Sequence, residues 1–293
     1  MLKSLFFILV FIKVVAINTC QAGDSTQINK KRLYPILLAT NGLYIGSMVY
    51  VSSVWYKEKR SNFHFFNDLN QWKQMDKAGH FTTAFIESQL VTKSLIWSGV
   101  QPKKAYMYGA IAGFLYQAPI EFFDGFDPDY GASVSDLVAN ALGSGSPLVQ
   151  YLLWREVRIK PKFSFHTTNY AQLRPNVLGK NLSEQILKDY NGQTYWLAFN
   201  LHSFMKEQKI PRWINISLGY SANEMIYARD GQNNRAGYEA YRQYFLSFDI
   251  DFEHVPLKSK LLKTILYPLN FIHIPFPAIE YSKNSLKFHP LYF

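Results

Sequence analysis

Six polar residues, spread over three apolar stretches, carry most of the chemistry this chain can offer. Asp76-Lys77-Ala78-Gly79-His80 opens one stretch, Glu121 and Asp124 close the next, and Ser135-Asp136 with Asn140 and Gly143 begin a third. Ionisable groups are costly among apolar neighbours unless they pair, bind a metal or titrate. Their placement at element ends, in a segment rich in Ala, Leu, Phe and Tyr, predicts one converged polar site built from Asp76, His80, Glu121, Asp124, Asp136 and Asn140. His80 can serve as a metal ligand, a general base or a proton shuttle. With Glu121, Asp124 and Asp136 it makes an oxygen-rich set for a divalent metal ion, the one cofactor these residue types suggest.

The spacing also states what must hold these groups. Asp76 and His80 fall at i and i+4 of a helix, and Thr83 and Glu87 extend the His80 face. Asp76 is equally placed as a helix cap or first-turn acid favoured by the dipole, and Glu87 as a solvated residue. Gly109, Gly113, Gln117 and Glu121 repeat every four residues and form one narrow face on which backbones approach closely. Asp136, Asn140 and Gly143 follow at i, i+4 and i+7, with Ser133 or Ser135 as the cap. The same acids would also suit solvated helix ends. His64, His166, His202, His254, His273 and His289 lack partners at metal-site spacings and read as structural or surface residues.

Helices are expected over about 77–97, 103–122 and 133–157, preceded by the uncharged run 33–56. Asp124-Gly125-Phe126-Asp127-Pro128 is a strong turn, and Gly143-Ser144-Gly145-Ser146-Pro147 should break or kink the last helix. From about Lys160 the period changes to two. Ile214, Ile216, Leu218 and Tyr220 alternate with polar residues or glycine. Tyr244, Leu246, Phe248, Ile250 and Phe252 form a second such series, and 195–201 is a weaker third. Short helices are expected over 181–190 and 258–270. The fold class is therefore α+β. A membrane-associated, antiparallel helical bundle over 33–157 precedes a small antiparallel β-rich region over 160–293. The terminal Pro290-Leu291-Tyr292-Phe293 ends in an aromatic, as outer-membrane barrels do, but three to five strands fall short of the eight such a barrel needs.

Residues 1–22 resemble an export signal: Lys3, an apolar run from Leu5 to Ile17, and small residues before cleavage after Ala22. Acylation of Cys20, the chain's single cysteine, and an uncleaved anchor remain open alternatives. With Cys20 removed, disulfides, thiolate nucleophiles and cysteine-bound metals are excluded. The run 33–56 is long enough to cross a membrane, carries Gly42 and Gly46 for close helix packing, and is also compatible with a buried core helix. The net charge of +10 is dispersed, which points toward membrane lipid or other envelope components as partners and not toward nucleic acid.

The segment Asp76-Lys77-Ala78-Gly79-His80-Phe81, then Glu121 and Asp124, then Ser135-Asp136-Leu137-Val138-Ala139-Asn140-Ala141-Leu142-Gly143 resembles the DUF2279 family of predicted periplasmic lipoproteins related to the bacterial YfiM protein. It is more distantly similar to the VanZ-like membrane proteins, which share the Asp-Lys-x-x-His start and the Asp-x-x-x-Asn-x-x-Gly helix. The resemblance covers about residues 70–145 and implies an envelope location and a helical core, without a settled activity. Two functions are open. The first is a non-enzymatic envelope protein whose buried polar site fixes helix register and binds an ion or polar headgroup. The alternative is a metal-dependent hydrolase or transferase acting on an envelope lipid or glycan, with Asp76 as supporting acid or general base.

Overall fold

Long apolar runs bounded by turn residues become helices in the first half of the computed structural model, which describes residues 28–55, 61–205 and 210–293. The export signal, Cys20 and the end of the apolar run at Tyr56 lie outside the described residues. The described residues form two compact units, one from residues up to Asp68 with Thr83–Glu156, the other from Leu69–Thr82 with those from Val157 onward.

In the first unit, α1 (Lys30–Trp55) turns Leu33, Leu37 and Tyr44 toward a core that also contains Leu95, Val100, Ala112 and Tyr116. Tyr44 stacks on Tyr116 with ring centroids 4.5 Å apart. Leu38, Leu43 and Val49 on other faces of α1 are exposed. By length and composition α1 can cross a membrane. Helix α2 (Met75–Trp97) contributes its later turns to this unit.

Helix α3 (Pro102–Asp124) starts on Pro102, whose missing amide is no loss at a helix start. The glycine face expected on α3 is real. A Cβ on Gly109 would lie 2.0 Å from Thr92 Oγ1 and 2.6 Å from the Ser88 carbonyl. One on Gly113 would lie 2.5 Å from the Ala84 carbonyl.

Helix α4 (Val134–Trp154) runs through Gly143–Pro147 without the break that the sequence allowed. Pro147 cannot donate to the Gly143 carbonyl four residues back. The Ser146 hydroxyl donates to that carbonyl instead, at 3.1 Å, so the missing bond is replaced locally.

The second unit is a six-stranded antiparallel meander, with strands adjacent in chain order. Its strands are β1 (Ile159–Phe165), β2 (Gln193–Asn200), β3 (Ile214–Asn223), β4 (Tyr241–Ile250), β5 (Phe276–Ser282) and β6 (Ser285–Tyr292). Six short helices decorate the connections: α5 (Tyr170–Leu173), α6 (Pro175–Leu178), α7 (Leu182–Lys188), α8 (Leu201–Phe204), α9 (Asp230–Arg235) and α10 (Lys260–Leu266). The outer edge of β1 is met by the segment before β5: Phe163 bridges Ile272, and the His273 amide donates to the Phe163 carbonyl at 2.9 Å. The first turns of α2 belong to this unit, where Met75 packs with Ala222 and Met225. The α+β class is as expected, with more strands than periodicity alone revealed.

Candidate functional site

The six expected site residues divide between the units, Asp76 and His80 in the second and Glu121, Asp124, Asp136 and Asn140 in the first.

Asp76 stands in the first turn of α2, where the helix dipole favours a carboxylate. Its Oδ1 accepts from the Tyr190 hydroxyl at 2.8 Å and lies 3.7 Å from His80 Nε2, one helical turn on. The latter distance is an ion-pair contact when the imidazole is protonated and too long for a hydrogen bond. Its Oδ2 accepts from Lys77 Nζ at 3.2 Å. Asp76 is 26% exposed, and Lys77 and His80 are 12% exposed, so this cluster is largely sheltered but open at one side. Gly79 keeps the helix surface low beside it, since a Cβ there would meet the Tyr195 hydroxyl at 2.9 Å. Burial first, and then the Asp76 charge, raise the Tyr195 phenol above the ordinary tyrosine range. The i, i+4 pair was legible in the sequence. Tyr190 was not, because 114 residues separate it from Asp76.

In the first unit, Glu121 ends α3 fully sheltered, and its Oε2 accepts from the Ser133 amide at 3.0 Å. Ser133 is the N-cap of α4, its hydroxyl oxygen accepting from the Asp136 amide at 3.1 Å. The same hydroxyl donates to Asp68 Oδ1 at 2.7 Å, and Ser135 Oγ donates to that oxygen at 2.9 Å. Asp136 and Asn140, one turn apart on α4, are both buried. Glu121 and Asp136 are thus joined through the cap of α4, with Asp68 as an additional acceptor. Sequence reading missed Asp68, which precedes the helical motif and has no periodic signal. Asp124 closes α3, is partly exposed, and its backbone carbonyl accepts from the Asp127 amide. Glu87 is bound to Gln117, whose Nε2 donates to Glu87 Oε2 at 2.8 Å, so it is a packing partner on the glycine face of α3.

A second polar network lies inside the sheet. Lys162 Nζ is 2.9 Å from Asp249 Oδ2, and both side chains are fully buried. Lys162 also donates to the Ile250 carbonyl at 2.7 Å, and Ser217 Oγ to Asp249 Oδ2 at 3.3 Å. His273 Nδ1 lies 3.4 Å from Asp249 Oδ2, and its ring stacks on Trp196 with centroids 3.8 Å apart. Lys160 Nζ contacts Asp251 Oδ2 and Glu253 Oε2, each at 3.0 Å, and His254 Nδ1 lies 2.9 Å from Asp251. Burial alone would lower the Lys160 ammonium, but Asp251 and Glu253 outweigh it and raise its pKa, whereas burial dominates at Lys162 and lowers it. Burial would raise Asp251, but bonds from His254 and the charge of Lys160 hold it below the ordinary carboxylate range. His289 contacts Glu280 at 2.7 Å. Three histidines that lacked partners at metal-site spacings therefore have carboxylates, His273 and His289 from other segments of the sheet and His254 from Asp251 three residues before it. The signal that could have found them is Lys160-x-Lys162 and Asp249-x-Asp251, like-charged pairs sharing one pleat face.

No curated protein and no solved structure matches the chain. The family model described as a predicted periplasmic lipoprotein, DUF2279, matches residues 64–152. That stretch holds Asp76, His80, Glu121, Asp124, Asp136 and Asn140, and it ends before the sheet begins. In α2, α3 and α4 the chain is therefore similar to predicted periplasmic lipoproteins.

Proposed function

We propose that the protein is an exported cell-envelope protein, held at a membrane, whose helix α2 binds a divalent cation through Asp76 and His80. The observation that carries this reading is the Asp76 carboxylate, which draws His80, Tyr190 and Lys77 around it in the first turn of α2. Asp76 and His80 each offer one ligand atom. One imidazole nitrogen with carboxylate oxygens suits Zn²⁺ or Mn²⁺ better than Mg²⁺ or Ca²⁺. Tyr190 donates to Asp76 and so orients it, as outer partners of metal ligands do. Glu121, Ser133 and Asp136 join the end of α3 to the start of α4. Glu121, Asp124, Asp136 and Asn140 are outside the set on this reading.

Envelope location is supported by the similarity to predicted periplasmic lipoproteins. Membrane association is supported by α1 and by Val134, Val138, Leu142 and Leu153, which form an exposed apolar stripe on α4. The test is metal analysis and calorimetric titration of the chelator-stripped full chain with Zn²⁺ and Mn²⁺. The parent should bind about one equivalent, and His80→Ala and Asp76→Asn should each weaken binding by more than about tenfold. A parent that takes up neither ion, or a His80→Ala variant with undiminished affinity, overturns the reading.

A further inference from the structure

Apart from Arg242, which lies on the open face beside Tyr220, strands β1 to β5 of the second unit carry their charges on the enclosed face and their apolar rows on the open one. Lys160, Lys162, Asp249 and Glu280 all point to the buried side, beside Ser217, Gln243 and Ser247. The opposite face is apolar in unbroken rows. Leu197 pairs with Leu218, Leu218 with Leu246, Leu246 with Ile279 and Ile279 with Phe288, one row crossing five strands. A second row runs Ile159, Phe199, Ile216, Phe248, and a third runs Phe163, Tyr195, Tyr220, Tyr244, Tyr281. Leu218, Phe248 and Phe288 are 52%, 56% and 67% exposed. Trp72, Met75 and Gly79 cover the outward sides of Tyr195 and Tyr220; Ile159, Phe199 and Ile216 are half-buried, and Leu197, Leu218, Leu246, Phe248, Ile279 and Phe288 are exposed.

A sheet in water shows the reverse alternation, polar outward and apolar inward. Polar-in, apolar-out alternation with an aromatic row at one margin is what a strand surface adopts against hydrocarbon. The margins select the occupant. Residues 201–205, 210–213 and 251–275 lie at one end of the strands, and Phe204, Leu261, Leu262 and Ile265 among them are exposed. The same end carries Arg212, Lys258 and Lys263, all exposed, next to Arg158. Cations bordering an apolar band complement anionic headgroups.

We propose that the outward face of this sheet is a lipid-contacting surface. Its apolar rows lie in the hydrocarbon of the envelope membrane, and Arg212, Lys258 and Lys263 lie at anionic headgroups. The proposal is independent of the cation centre, which involves none of these residues.

The chain's single cysteine makes spin labelling direct. In the full chain with Cys20→Ala, nitroxides are attached at Leu218→Cys, Phe248→Cys and Phe288→Cys, with Gln232→Cys on α9 as the aqueous control. The labelled proteins are reconstituted into phosphatidylethanolamine–phosphatidylglycerol vesicles, and only variants with the parent's circular dichroism are compared. The three sheet labels should collide with dissolved oxygen far more than with a water-soluble nickel chelate, and the control should show the opposite. Nickel access at 218, 248 and 288 equal to that at 232 overturns the proposal. Protection from both reagents, with a detergent-solubilised dimer, also overturns it and assigns the face to a second copy.

Discussion

Lys162 and Asp249 form an ion pair 2.9 Å long with neither side chain reaching solvent. Each charge has lost its water, so the pair persists only because the partner, the Ile250 carbonyl and Ser217 replace it. Removing one partner strands the other. Asp249→Asn or Lys162→Met should destabilise the second unit by about 3–5 kcal/mol, while Lys162→Met with Asp249→Leu should recover most of that loss. Urea melts of the single and double variants in the same detergent measure the coupling. Additive losses in the double variant would show that the two residues act separately.

Stability should fall on acidification through Asp251. Its pKa is held below the ordinary value of 3.8 by His254 and Lys160, against burial, which would raise it. A depressed folded-state pKa gives stability that is present above the unfolded value and lost as pH falls below it. Each pH unit in that window removes up to about 1.4 kcal/mol. Asp251→Asn should therefore be least stable relative to the parent at neutral pH, with the two melting curves converging as the pH falls below 3.8. A constant difference from pH 7 to pH 2 would locate the depression elsewhere.

The two glycine pairs separate contact from propensity. Gly109 touches Thr92 and the Ser88 backbone, whereas nothing lies within 4 Å of a Cβ at Gly42. Gly109→Ala should cost about 1–3 kcal/mol through overpacking. Gly42→Ala should be neutral or gain up to about 1 kcal/mol from helix propensity. Thermal melts of the two variants decide this, and equal effects would mean that α3 is not held at close range by its glycines.

How much was legible followed from which forces are local. The expected helix 77–97 formed as Met75–Trp97 and 103–122 as Pro102–Asp124, because apolar periodicity and turn residues act over a few positions. Strands β3 and β4 were equally clear. β1, β5 and β6 were hidden by Pro161, Pro277 and Pro290, which depress any strand reading. Period two told which residues share a face of β3 and β4, but not which face meets solvent. That was decided by pairs distant in sequence, such as Lys162 with Asp249 and Lys160 with Asp251. At the candidate site, Asp76 with His80 was visible as an i, i+4 pair, and Ser133 as one of two caps. Tyr190 and Asp68 were not, since nothing near them in the chain marks their partners.

Tyr190 offers the sharpest test of the cation reading. Its hydroxyl donates to Asp76 Oδ1 at 2.8 Å, and its ring packs against Trp72 with centroids 5.5 Å apart. Tyr190→Phe keeps the ring and deletes only the donor. If Asp76 ligates a cation, the loss of an orienting partner should weaken Zn²⁺ or Mn²⁺ binding by about 10–100-fold, with a stability loss in the metal-free protein near 1 kcal/mol. If Asp76 serves only to hold α2 in place, the same variant should lose that stability and leave metal uptake unchanged. Titration calorimetry and melts on one preparation, with and without chelator, separate the two. The expected result is a large shift in affinity beside a small shift in melting temperature.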